Sequence, residues 1–233
     1  MAAPRSKSEG GTLARSFFGV LLFSLGIFLF YAAGLEAFQT RPLNDIRLGV
    51  LAGAGAYLLI HRFIGVGDFF GTFTHELCHT IACVLSGGKP LKFYASQNQG
   101  GYAHLTRTNI FVVLAPYFFP VWAVFGLAAF RLLVWVRAAP FILPFTAFFV
   151  GMALMHHVLC LLHSCRPHQS DLKKYGLIFS YGFVAFANSI ILPHVFLLTM
   201  NPEAPWHHFL EKLWRLAAFH AGPLWERLAA SIL

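Results

Sequence analysis

The sequence predicts an all-α polytopic membrane protein of about six transmembrane helices, with a small β-hairpin-like insertion and a C-terminal interfacial amphipathic helix. Three observations predict it. Apolar residues fill 58% of the 233 positions and charged residues only 11%. A soluble domain carries roughly 25% charged residues, so this chain lacks the polar surface to face water. The apolar residues also gather in blocks close to the roughly 20 residues a helix needs to cross a bilayer. One stretch alone, 89–108, breaks that pattern with mixed polar and aromatic residues around two glycines.

Taken in order, residues 1–12 are small and polar and read as a disordered tail. The first apolar run, Phe17 to Leu35 within a span of about 15–35, is too long for a signal peptide core, so it reads as a retained anchor. A polar connection with Pro42 leads to a second run at about 48–66, interrupted by His61 and Arg62. A third helix is predicted from Asp68 to Leu85, where Gly87-Gly88 supplies a stop.

The stretch 89–108 holds Phe93, Tyr94, Tyr102, His104 and Thr106 around Gly100-Gly101, which predicts a hairpin or extended loop turning at the glycine pair. Apolar runs follow at about 109–136, 139–163 and 175–200. Pro116 and Pro120 must kink or break the first of these, since proline has no N–H and clashes with the preceding turn. Residues 13–200 thus form one membrane domain. In 201–233, Trp206, Phe209, Leu210, Leu213 and Ala217 recur at helical spacing while His207, His208, Glu211, Lys212 and Arg215 take other faces. Such a segment suits the membrane interface, with Trp206, Trp214 and Trp225 as belt residues.

The formal charge of +8 comes from Lys and Arg scattered through short connections. That pattern sets orientation and meets lipid headgroups, and it lacks the basic stripe of a nucleic-acid binder. The four cysteines, Cys78, Cys83, Cys160 and Cys165, form no CxxC pair and read as small buried hydrophobes.

The chemistry is concentrated in His75-Glu76-Leu77-Cys78-His79. On a helix, positions i and i+4 share a face, so two imidazoles are offered to one metal ion with Glu76 beside them as a general base. Zinc suits these ligands and brings the pKa of water near 7. Ionisable groups inside an apolar segment are costly and mark function by default.

His75-Glu76-x-x-His79, followed by Ala82, Gly87-Gly88, the stretch ending in Gly100-Gly101-Tyr102 and the segment Ala115 to Pro120, resembles the site-2 proteases. These are intramembrane zinc metalloproteases, here of the bacterial type, and the resemblance covers roughly residues 70–190. It implies Zn2+ as cofactor and a bacterial inner-membrane location. It also implies a third zinc ligand, an aspartate at the start of a later transmembrane helix. The matching position is Asp171, the only acidic residue between Glu76 and Glu203, although Leu172 stands where the family has glycine. The adjacent His156 and His157 are rival ligands deep in the 139–163 run, and His163 and His168 are weaker ones.

Orientation is an independent check. Arg5, Lys7 and Arg15 favour a cytoplasmic N-terminus. If every run crossed once, Asp171 would then lie on the face opposite the start of the His75 helix. A shared metal requires that the proline-broken run fold back or that the Asp171 loop dip inward. The activity these residues suggest is hydrolysis of a peptide bond within or near the bilayer, in a membrane protein or peptide substrate, with 89–108 able to pair with an extended chain. The alternative is a metal-binding scaffold or transporter that cuts nothing.

Overall fold

The computed structural model describes residues 6–39, 45–64, 68–97, 99–207, 210–211 and 214–215. Eight helices and one hairpin are present among them: α1 (Ser6–Gln39), α2 (Asp45–Ile64), α3 (Asp68–Leu85), β1 (Pro90–Ser96), β2 (Gly100–Leu105), α4 (Ile110–Phe118), α5 (Val121–Trp135), α6 (Ile142–Ser164), α7 (Ser170–Lys174) and α8 (Leu177–Met200).

Four helices have the length and apolarity to cross a membrane: Gly11–Gly34, Asp45–Phe63, Ile142–Ser164 and Leu177–Met200. The pair α4 and α5, bent by 75° at a short break, adds a fifth if it counts as one span. The chain is therefore an integral membrane protein with fewer qualifying spans, among the described residues, than the six expected. The shortfall is α3, whose 18 residues carry Asp68, His75, Glu76 and His79 and so lose apolarity. The N-terminal boundary also differs. Helix α1 already begins at Ser6, so residues 6–10 are helical ahead of the Gly11–Gly34 span where a disordered tail was expected. Serine, lysine and glutamate are tolerated in a helix, and no proline interrupts this stretch.

Helices α1 and α2 pack mainly on α8 and α6 respectively. Their other faces are apolar and exposed, as at Phe17, Ile27, Leu51 and Leu59, which suits contact with lipid. The α1–α8 and α2–α6 contacts are built on small residues, since bilayer helices associate by close packing. A side chain at Gly182 would collide with the backbone of Gly19, and one at Gly151 with that of Val50. Helix α8 is the most enclosed of the four spans, with 44% of its apolar window buried against 17–28% for the others. It is the post around which the site is assembled.

The hairpin forms as expected, but its turn lies before the glycines. Residue Ser96 pairs with Gly100 and Ala95 with Gly101, so both glycines are the first residues of β2. Gly100 has φ of +73°, which relieves the turn, and Gly101 permits close approach to α3. Along β2 the exposure alternates, with Gly101, Ala103 and Leu105 turned inward.

Of the cysteines, Cys78 and Cys83 are buried, Cys160 and Cys165 are partly buried, and all four are free thiols. The amphipathic helix expected over 201–233 falls mostly outside the described residues. Where described, Arg131 of α5 donates to the carbonyls of Pro202 (2.5 Å) and Ala204 (2.7 Å) and stands over the Trp206 ring.

Candidate metal centre

Helix α3 carries His75, Glu76 and His79 and is stopped by a left-handed Gly87, with φ of +76°. The Gly88 N–H returns to the Cys83 carbonyl at 2.8 Å and the Gly87 N–H to Val84 at 2.9 Å. This closing pattern satisfies the last carbonyls of the helix and directs the chain into β1.

The break in the fourth apolar run supplies two backbone carbonyls to the site. Pro116 has no N–H, so the Val112 carbonyl, four residues earlier, lacks its helical donor. The His79 Nδ1–H fills that place at 2.7 Å. After Phe118 the helix ends: the Val121 N–H turns to Phe119, and the Tyr117 carbonyl is left without its helical partner. The Asn188 Nδ2 of α8 takes it at 2.7 Å and also donates to Val184 at 2.9 Å. Asn188 Oδ1 then accepts from His157 Nε2 at 3.0 Å. Irregular backbone in a bilayer is tolerated where protein satisfies it, and here side chains of α3 and α8 do so.

Asp171 reaches α3 because α7 is pinned. Its neighbour Leu172 is fully buried in a cluster with Val113, Leu114, Tyr117 and Val184. The Leu172 carbonyl accepts from the Ser180 hydroxyl of α8 at 2.8 Å. Gly176, with φ of +92°, makes the turn between α7 and α8. Leucine at 172 is therefore an anchor, and the conformational freedom needed nearby is supplied at 176.

The structure brings His75, His79 and Asp171 together. Asp171 Oδ2 lies 3.4 Å from both His75 Nε2 and His79 Nε2. One ligand atom from each residue lies within 4.8 Å of the other two, and this trio is the group of that kind found among the described residues. The chemistry of the donors favours a cation between them. With His79 Nδ1–H committed to Val112, its Nε2 in a neutral ring presents a lone pair toward a carboxylate oxygen. Two lone pairs facing each other need a positive centre. Ligands held about 2.0–2.1 Å from a tetrahedral zinc lie roughly 3.3–3.4 Å apart, which matches the two distances from Asp171 Oδ2 to the histidines. A direct charge-assisted N–H···O bond would be shorter, about 2.7–2.9 Å. Burial alone would push the Asp171 carboxyl upward, but the His75 and His79 imidazoles facing it outweigh that and hold the group well below the usual carboxylate range. The carboxylate form of Asp171 is thus the favoured one.

Glu76 is 8% exposed and lines a cavity of about 590 Å³ together with His75. Gly100 and Gly101 of the hairpin, Tyr57 and His61 of α2, and His156, Cys160 and His163 of α6 form other walls. A Cβ at Gly101 would stand 2.7 Å from Glu76 Cγ and 2.8 Å from Thr72 Cγ2, so the bare backbone of β2 presses on the Glu76 side chain. The site is open to a reactant on the side where the glutamate lies.

The rival histidines have other partners. His156 Nδ1 is 2.6 Å from the Tyr57 hydroxyl, and His156 Nε2 is 3.3 Å from Thr74, which also accepts from Trp122 at 2.9 Å. His157 is engaged by Asn188. Neither belongs to the trio, and His163 stands on the cavity wall. Sequence reasoning missed Val112, Tyr117, Asn188 and Thr74. The available signal was the proline pair, because each proline leaves a carbonyl that something else must satisfy.

The Peptidase M50B-like family model matches residues 48–167, just over half of the chain. The chain belongs to the Peptidase M50B-like family. The resemblance to site-2 proteases read from the motif is upheld. In this M50B-like chain the match takes in α2 through α6, including both histidines and Glu76, and stops just short of Asp171. No curated protein and no solved structure matches the chain. Asp171 therefore rests on its own geometry.

Proposed function

We propose that this M50B-like protein is a zinc metalloendopeptidase that hydrolyses a peptide bond of a membrane protein or peptide within or near the bilayer. The observation that carries the reading is the convergence of His75 Nε2, His79 Nε2 and Asp171 Oδ2, at metal-ligand spacing, beside a buried glutamate on a cavity wall. His75, His79 and Asp171 would hold Zn2+. When bound, the ion supplies Lewis acidity that makes water nucleophilic near neutral pH and polarises a carbonyl. Three protein ligands leave one position open, as in catalytic rather than structural zinc sites.

The remaining work falls to the chain's own residues. Val112 fixes the His79 ring with Nε2 inward. Glu76 accepts the proton of the attacking water on its carboxylate and returns it to the leaving amine. Gly101 holds the Glu76 side chain from one side. The membrane spans keep the cavity among lipid, and the two-stranded hairpin that lines it suits pairing with an extended substrate. A bacterial inner membrane fits the family type.

The test pairs metal content with cleavage. Purified protein should hold about one zinc per chain, lost in His75→Ala and His79→Ala. Glu76→Gln should keep zinc and lose proteolysis of a reconstituted transmembrane substrate. A Glu76→Gln protein that keeps both zinc and full biological activity would instead support a non-proteolytic metal-binding protein.

A further inference from the structure

Side chains of four helices form one hydrogen-bonded chain beside the cavity that holds Glu76. Trp122 of α5 donates its indole N–H to Thr74 Oγ1 of α3 at 2.9 Å. Thr74 Oγ1 lies 3.3 Å from His156 Nε2 of α6, and His156 Nδ1 lies 2.6 Å from the Tyr57 hydroxyl of α2. Indole can only donate, which sets the sense of the chain at one end. Thr74 is buried, so its hydroxyl hydrogen needs an acceptor, and His156 Nε2 is the one within reach among the described residues. A neutral ring that accepts at Nε2 carries its proton on Nδ1 and donates it to the Tyr57 oxygen. Cys160 Sγ stands 3.7 Å from Nδ1 and 3.6 Å from Nε2, nearly equidistant and so aligned with neither. The opposite sense would leave the Thr74 hydrogen buried without an acceptor, a costly arrangement. The hydrogen left over is that of the Tyr57 hydroxyl. Tyr57 lines the cavity of about 590 Å³ together with Glu76 and Gly101.

We propose that Tyr57 is a substrate-binding residue whose hydroxyl donates to a carbonyl oxygen of the bound peptide chain. The inference rests on the protease reading above and adds a contact to it. An extended chain that pairs one edge with the hairpin leaves the carbonyls of its other edge without donors. Tyr57 comes from an element placed to meet them. Helix α2 packs on α6 and the hairpin on α3, yet α2 and the hairpin wall one cavity. Tyr57 is also held before any chain arrives. Its hydroxyl is fixed by His156, its ring lies stacked on His61 with centroids 6.3 Å apart, and the His156 ring meets it edge-on at 5.4 Å. A donor fixed in advance loses little freedom on meeting its acceptor, whereas the Gln97 and Gln169 side chains on the same wall would have to be ordered.

The test has two arms, both on the full-length protein in detergent. In the first, the ring nitrogens of isotope-labelled histidine are read by NMR, with His156 assigned from the signal lost in His156→Asn. The expected spectrum has His156 protonated at Nδ1 and bare at Nε2. The reverse tautomer would overturn the proposal, since the Tyr57 hydrogen would then be committed to His156. In the second arm, zinc-loaded protein is titrated with acetohydroxamate and with two peptidyl hydroxamates that extend to one or the other side of the zinc-binding group. Tyr57→Phe keeps the ring and removes the hydroxyl. It should weaken at least one peptidyl probe by about threefold to tenfold, the effect of one neutral hydrogen bond, and leave acetohydroxamate unchanged. Retained acetohydroxamate binding also shows that the variant folds and holds zinc. Equal affinity of parent and variant for every probe would overturn the proposal. So would an equal loss for every probe, because the hydroxyl would then act through the fold and not on the peptide. A parent that binds none of the probes would instead remove the zinc reading itself, and this inference with it.

Discussion

The His79 ring is held by the carbonyl of Val112, 2.7 Å from Nδ1, and that carbonyl is available because Pro116 stands one helical turn later without an N–H. The relationship joins a backbone accident of one helix to the ligand geometry of another. A proline inside an apolar run usually reads as a kink. Here it also selects which imidazole nitrogen faces Asp171, since the proton on Nδ1 leaves the lone pair on Nε2.

Replacing Pro116 by alanine would restore an N–H aimed at Val112. The carbonyl can accept two bonds, so His79 would be loosened rather than released. We expect zinc affinity to fall by less than about tenfold while the thermal midpoint of the metal-free protein holds, because alanine is the better helix former by about 3 kcal/mol. Chelator competition on the purified variant measures it. Binding as tight as in the parent would mean that the proline has no part in orienting His79.

Gly101 gives a prediction with the opposite signature. Alanine there would put Cβ 2.7 Å from Glu76 Cγ and 2.9 Å from the Tyr94 carbonyl, so the strand or the glutamate must move. Since the nearest atoms to such a Cβ belong to Glu76, Thr72 and Tyr94 and not to His75 or His79, Gly101→Ala should keep its zinc and lose most of its proteolysis. A displacement near 1 Å at a catalytic group can cost about a hundredfold in rate. Full activity with zinc retained would show that the hairpin does not set the Glu76 position.

Much of this was legible in the sequence, for identifiable reasons. Helix α3 carries a periodic apolar pattern and a glycine stop, and its bounds came out at Asp68 and Leu85 as expected. The hairpin was visible from composition, but its turn was misplaced: glycines mark turns and close approaches alike, and Gly101 serves the second purpose. Of the six expected spans, α3 is the one not found among the apolar spans of the described residues, because Asp68, His75, Glu76 and His79 lower its apolarity. The proline-broken run, expected to fold back or break, bends by 75° at its break. What sequence could not reveal is which side chain answers each freed carbonyl. His79 and Asn188 meet α4 from elements 33 and 71 residues away in the chain, and no local pattern encodes such a pairing.

Asn188 is the clearest structural member of the group. It bridges His157, Tyr117 and Val184 while only 6% exposed. Asn188→Ala would strand the Tyr117 carbonyl and the His157 N–H inside the protein. Each buried orphan costs about 1–3 kcal/mol, so the unfolding free energy should drop by at least that much, measured by thermal or denaturant unfolding in detergent. A variant as stable as the parent would show that water reaches these groups.

In the proposed zinc site Asp171 is the third ligand, and asparagine is the substitution that tests it. As a helix cap, aspartate could be replaced by asparagine at little cost. The structure makes that role an incomplete account, because Asp171 lies within the first turn of α7 and the residue before that helix, Gln169, makes no side-chain cap. Its carboxylate instead faces His75 and His79 at 3.4 Å. Asparagine keeps the size and one acceptor oxygen but brings no negative charge to the ion. We expect Asp171→Asn to lose most bound zinc and nearly all proteolysis while folding as the parent does. His156→Ala and His157→Ala, assayed in the same membrane preparation, should keep zinc, because their ring nitrogens are engaged by Tyr57, Thr74 and Asn188. They should lose stability instead, by about 1–3 kcal/mol for the partners left unpaired. If Asp171→Asn kept full zinc and activity while a histidine variant lost both, the third ligand would have to be sought deeper in α6.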